Sequence, residues 1–144
     1  FDHADFDIPG SFGIIYTSRA FLDAHPSVVE DFMRATMRGL AEAIADPATA
    51  AEVAVARING NGNPNFLSPE GEAFRWATDA ETIVATTPDG SDIGVPDGDE
   101  LERQVEAYAE VGYFGDGDAP GVEGRYDDEL VAALYDSGEV IWPG

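Results

Sequence analysis

Two polar loops carry the residue types that a divalent cation would need. Asp116-Gly117-Asp118-Ala119-Pro120-Gly121 begins like a calcium loop, in which oxygen ligands alternate along about twelve residues and end on a bidentate Glu. Pro120 stands where an oxygen ligand belongs, and Asp127 occupies the place of the closing Glu. Asn59, Asn61, Asn63 and Asn65 also alternate, with Pro64 at the position of the loop's glycine. Asp, Asn and Gly are turn formers first, so both stretches read as turns and no metal site is assigned. Catalysis finds little more. His3 and His25 are the only histidines, and His25 precedes Pro26 at a helix start, where capping or exposure suits it better than general-base work. No Ser lies in a nucleophile elbow and no Gly-rich phosphate loop follows a strand. Carboxylates are so numerous that no pair stands out as an acid/base couple. With no Cys in the chain, thiolate metal sites, disulfides and Cys nucleophiles are excluded together. The chain reads as a non-enzyme with no cofactor.

Charge bounds the partners. Twenty-nine acidic residues against seven basic ones give −22, and all seven basic residues are Arg. Such a field repels nucleic-acid phosphates and anionic lipid surfaces, and it favours a soluble monomer. It fits a halophilic source whose surface is acidic throughout better than a dedicated cation site. At 144 residues and 44% apolar composition, the chain suits one globular domain. No apolar run approaches the roughly 20 residues of a membrane span. Any secretory leader is expected outside this chain.

The elements follow from periodicity and punctuation. Residues 1–11 are extended, broken by Pro9-Gly10. Phe12 to Thr17 is apolar on both faces and predicts a buried strand. Ser18 caps a short turn over Arg19 to Ala24, and Pro26 opens a long helix to about Ala45. Val29, Phe32, Met33, Thr36, Met37, Leu40 and Ile44 form that helix's inner stripe. Asp46-Pro47 starts a further helix with Val53 and Val55 among its apolar positions, and Ser68-Pro69 starts another holding Phe74, Trp76, Ile83 and Val84. Trp76 reads as a core or inter-helix anchor rather than a ligand stack. A helix from about Asp99 to Val111 turns Leu101, Val105, Tyr108 and Ala109 inward; a last one spans Asp127 to Asp136, and Val140-Ile141-Trp142 is apolar enough to dock. One or two strands against five or six helices is too few for a free-standing α/β sheet, so the chain is expected to be part of a larger fold.

The order of these parts resembles the substrate-binding proteins of ABC transporters, of the alkanesulfonate and thiamine-precursor type. The resemblance rests on Thr17-Ser18-Arg19 and Phe21, then His25-Pro26, then Arg34-Ala35 with Arg38-Gly39-Leu40, then Asp46-Pro47 with Ala50-Ala51. It extends to Glu72 and Trp76, and to Gly94, Leu101, Tyr108 and Gly112. Members have two α/β lobes with a ligand cleft between them. The resemblance therefore implies the C-terminal part of a periplasmic-binding-protein type II fold, α/β in class and mostly helical here, with residues 1–11 as a hinge segment and 12–144 as part of one lobe.

That architecture places ligands at the hinge, which implies Asp7, Pro9, Ser11 and Phe12 as substrate-binding residues. Phe12 would stack on a heterocycle and Asp7 would accept from an amine; as alternatives, Phe12 is core and Asp7 a surface acid. The implied function is the extracytoplasmic solute receptor of an importer, working with a permease on a thiamine precursor, pyrimidine, flavin-like molecule or sulfonate. Two other readings stand beside it: a pyrimidine-precursor synthase of the same fold group, and a stand-alone helical interaction module.

Overall fold

Six helices follow the punctuation of the sequence almost element by element in a computed structural model that describes residues 13–61 and 67–142. α1 (Arg19–Ala24) is capped by Ser18, whose Oγ accepts from the Phe21 N–H at 3.2 Å. α2 (Pro26–Ala45), α3 (Pro47–Gly60) and α4 (Pro69–Thr86) each begin on a proline, whose missing N–H would have lacked a helical partner anyway. Asp46 caps α3 through the Thr49 N–H at 3.0 Å, and Ser68 caps α4 through the Gly71 N–H at 3.1 Å. Asp97 caps α5 (Gly98–Glu110) and Asp127 caps α6 (Asp128–Ala132). These side chains satisfy donors that a helix start leaves without an internal acceptor.

α5 ends in a Schellman motif. The Tyr113 N–H reaches the Tyr108 carbonyl at 2.9 Å, the Gly112 N–H reaches that of Ala109 at 2.9 Å, and Gly112 has φ 74°. The accompanying apolar contact is aromatic, with the Tyr108 and Tyr113 rings 5.4 Å apart. In α4 the threonines Thr78, Thr82 and Thr86 bond back to the carbonyl four residues earlier at 2.8–3.0 Å, which satisfies their hydroxyls on an exposed face.

α3 and α4 pack along each other, α2 lies against both, and α1 against α2. A two-residue hairpin, β1 (Tyr135–Asp136) and β2 (Glu139–Val140), pairs Tyr135 with Val140 and Asp136 with Glu139, and β2 touches α2. Ser137 and Gly138 both take positive φ, 54° and 85°, the signature of a type I′ turn. The core is small. Met33 and Met37 of α2 meet Val131 and Leu134, with Val29, Leu40, Val95, Leu130, Tyr135 and Val140 around them. Ala51 of α3 and Ala80 and Ile83 of α4 are the other buried apolar residues among those described.

Several expectations are corrected. Residues 13–17 form no strand and are exposed, because among the described residues no strand lies beside their backbone to pair with it; Phe12 lies outside the described residues. Phe32, assigned to the inner stripe of α2, is exposed, as are Tyr108 and Ala109, assigned to the inner side of α5; the apolar residues Val53, Phe74 and Val84 are exposed too. Periodicity identifies an apolar face but not whether another element covers it. The helix expected over Asp127 to Asp136 stops at Ala132; Ala133 and Leu134 form a turn, and β1 takes Tyr135–Asp136.

Candidate functional site

The four expected ligand residues, Asp7, Pro9, Ser11 and Phe12, lie outside the described residues. The structure places the chain that follows them. Gly13 to Thr17 runs up to Ser18, which is itself extended (φ −77°, ψ 147°), and Ile14, Ile15 and Tyr16 all face solvent, Tyr16 at 87% exposure. An apolar stretch whose backbone forms no ladder with any described residue is a ready template for strand pairing.

An open groove of about 440 Å³ lies between α2 and the hairpin. Arg38, Glu42 and Trp142 form one side of its lining, and Asp92, Tyr135 and Glu139 contribute further polar groups. Arg38 is doubly held: its Nε donates to Glu42 Oε1 at 3.1 Å, and its guanidinium lies 4.5 Å from the centre of the Trp142 ring. Three carboxylates around one guanidinium leave the groove net negative, which disfavours an anion such as a sulfonate. The Tyr135 hydroxyl is already committed, donating to the Ile93 carbonyl at 2.7 Å. Burial, and then the charge of Asp92, raise its pKa above the ordinary tyrosine value. None of the four expected ligand residues lines this groove.

Other residues singled out by type have structural employment. Trp76 is half-buried, its Nε1 has no hydrogen-bond partner among the described residues, and Arg75 covers its ring at 4.9 Å. An arginine stacked on the indole fits the packing role expected of it. His25 stacks on Phe21 with ring centres 4.9 Å apart and caps α2 by position without a side-chain hydrogen bond. The Asn59 amide clips the loop before α4, donating to the Leu67 carbonyl at 3.1 Å and accepting from its N–H at 2.9 Å. Asn61 donates to the Arg57 carbonyl at 2.6 Å. Asn63, Pro64 and Asn65 lie outside the described residues. Asp116 and Asp118 are exposed, and no group of His, Asp or Glu among the described residues is arranged to hold a metal ion.

The motif residues also resolve into packing and tethers. Arg19 donates to the Gly124 carbonyl at 3.0 Å, tying α1 to the loop after α5. Arg34 donates to the Ile141 carbonyl at 2.7 Å and also bonds Glu30. Gly94 (φ 86°) lies against Met37, where a Cβ would sit 2.7 Å from the Met37 sulfur. Nothing in the spacing of Arg34 pointed to a partner 107 residues away. Ion pairing among the described residues is local: Arg34–Glu30, Arg38–Glu42, Arg75–Glu72, Arg75–Asp79 and Arg103–Glu100 each join residues three or four apart on one helix.

No curated protein and no solved structure matches the chain. A family model described as NMT1/THI5 like matches residues 1–50, which include α1, α2 and the Asp46-Pro47 start of α3 together with the four expected ligand residues. The match is compatible with a binding protein rather than an enzyme. Over these 50 of its 144 residues the chain is similar to the NMT1/THI5-like family.

Proposed function

We propose that the chain contributes one side of a solute receptor for an ABC importer, acting outside the cytoplasm and delivering a small heterocyclic or polar ligand to a permease. The observation that carries this reading is the NMT1/THI5-like match over residues 1–50, which takes in the ordered motifs from Thr17 to Ala50. The exposed run Ile14–Tyr16 supports it, since an apolar strand-like segment is expected to be paired in a sheet contributed by other parts of a two-lobe receptor. Among the described residues no helix is long and apolar enough to cross a membrane.

Ligand capture would use residues 7–12, with Phe12 stacking on a flat ring and Asp7 accepting from an amino group. A pyrimidine or aminopyrimidine suits that pair better than a sulfonate, because a carboxylate repels an anion. The test is a thermal-shift and calorimetric screen of the full-length natural protein with aminopyrimidines, thiamine precursors, flavins and sulfonates. Binding of one class, weakened at least tenfold by Phe12→Ala or Asp7→Asn, is the expected result. No binding in any class, or binding indifferent to both substitutions, overturns the assignment.

A further inference from the structure

Arg34 differs from the other paired arginines in how little water it sees. Its side chain is 13% exposed, whereas those of Arg38, Arg75 and Arg103 are 45–59% exposed. A guanidinium withdrawn from water on a helix surface must be covered by something, and its other bond shows what covers it. Nη1 donates to the Ile141 carbonyl at 2.7 Å, while Nη2 is oriented by Glu30 one turn back on α2. One turn further along α2, Arg38 is oriented by Glu42 and lays its guanidinium on the ring of the next residue, Trp142. Two arginines four residues apart therefore grip two successive residues beyond the hairpin, one by a carbonyl and one by a ring.

We infer that Arg34 and Arg38 are a two-point clamp that holds Ile141–Trp142 against α2 and so sets one wall of the groove between α2 and the hairpin. The hairpin alone is a weak anchor for that wall. Its strands are two residues each, and it adds Glu139 to a groove lining that already holds Glu42 and Asp92. Among the described residues one backbone bond continues the contact past β2, from the Ile141 N–H to the Leu134 carbonyl at 2.8 Å. The planar fork of Arg makes the clamp specific, because it serves Glu30 and the Ile141 carbonyl at once, which a lysine ammonium does with less directional constraint.

The clamp is tested by amide hydrogen exchange on the whole chain, read at Ile141 and, as internal references, at Leu134 and Met37. Losing a hydrogen bond from a charged donor raises local opening by about tenfold or more. Arg34→Met should raise Ile141 exchange by that factor with Leu134 and Met37 nearly unchanged, and Arg34→Lys should fall between it and the native protein. Arg38→Met, in a Trp76→Phe background where Trp142 is the sole tryptophan, should make Trp142 more accessible to acrylamide and leave the core amides alone. Unchanged Ile141 exchange overturns the clamp. So does a rise shared equally by Ile141 and the core amides, which marks general destabilisation; if Arg34→Met does not fold, the Lys variant decides on the same criterion.

Discussion

Leu134 to Ala tests whether the small core described here is what holds the chain together. Leu134 is the one large side chain among the described residues with no exposure at all, and it closes the cluster of Met33, Met37 and Val131. Truncating a fully buried leucine costs about 2–5 kcal/mol through lost transfer energy and the cavity left behind. A domain of this kind has a total stability of about 5–15 kcal/mol, and so few buried residues place it toward the lower end. Leu134→Ala should thus remove a large share of the stability and lower the melting midpoint by roughly 10 °C. The matched control is Phe74→Ala, which removes a larger side chain that is 75% exposed, and surface changes of that kind stay within about 0.5 kcal/mol. Urea titrations followed by circular dichroism, at one fixed salt concentration, give both values. If Phe74→Ala costs as much as Leu134→Ala, the reasoning fails. That result would mean that the α4 face is covered in solution and that stability rests on contacts beyond this core.

Other outcomes follow from single groups. Gly39 lies inside α2 with open space around the position of a Cβ, so Gly39→Ala should stabilise the chain by about 0.5–1 kcal/mol in the same urea assay. The Asp46 carboxylate is held below its ordinary pKa, first by the Thr49 N–H and then by the Thr49 hydroxyl. A depressed pKa contributes stability above the unfolded value that is lost as pH falls through the folded one, so the native melting curve should drop below about pH 4. Asp46→Asn, which keeps a capping oxygen, should show a flatter acid limb. Tyr135 has the opposite sign: burial raises its pKa, and stability is lost as pH rises past the ordinary tyrosine value, about 10. Tyr135→Phe should be less stable near neutrality by about 1 kcal/mol for the bond to Ile93, and urea midpoints should show this deficit narrowing with alkali.

What the sequence made legible was governed by local chemistry. Ser18, Asp46 and Ser68, each followed closely by helix-compatible residues, and the prolines 26, 47 and 69 placed helix starts almost to the residue. Capping is decided within one turn of chain, so it can be read without knowing the fold. The hairpin was missed although Ser137-Gly138 is a turn signal, because strands of two residues are too short to show alternation. Exposure of Phe32, Phe74 and Val84 was illegible for another reason. An apolar stripe records what a helix can bury, while its burial depends on a neighbour whose place in the chain the stripe does not encode. The tether from Arg34 to Ile141 is of the same kind, since long-range partners leave no periodic trace. As for the candidate ligand residues, only the motif order from Thr17 to Ala51 pointed toward residues 7–12, and it did so by architecture rather than by any chemistry of their own.

The placement of the ion pairs has a consequence for how the molecule meets its ionic surroundings. Every pair among the described residues lies within one helix, and those arginines that reach across elements end on carbonyls or an aromatic ring. Dissolved salt weakens exposed ion pairs and like-charge repulsion alike, with a screening length of about 10 Å at 0.1 M and 3 Å at 1 M. Here the attractive pairs among the described residues lie inside individual helices, while the excess of acids, a net charge of −22, repels both within and between them. Added electrolyte therefore screens the like-charge repulsion, and among the described residues it meets no ion pair between elements that it could weaken.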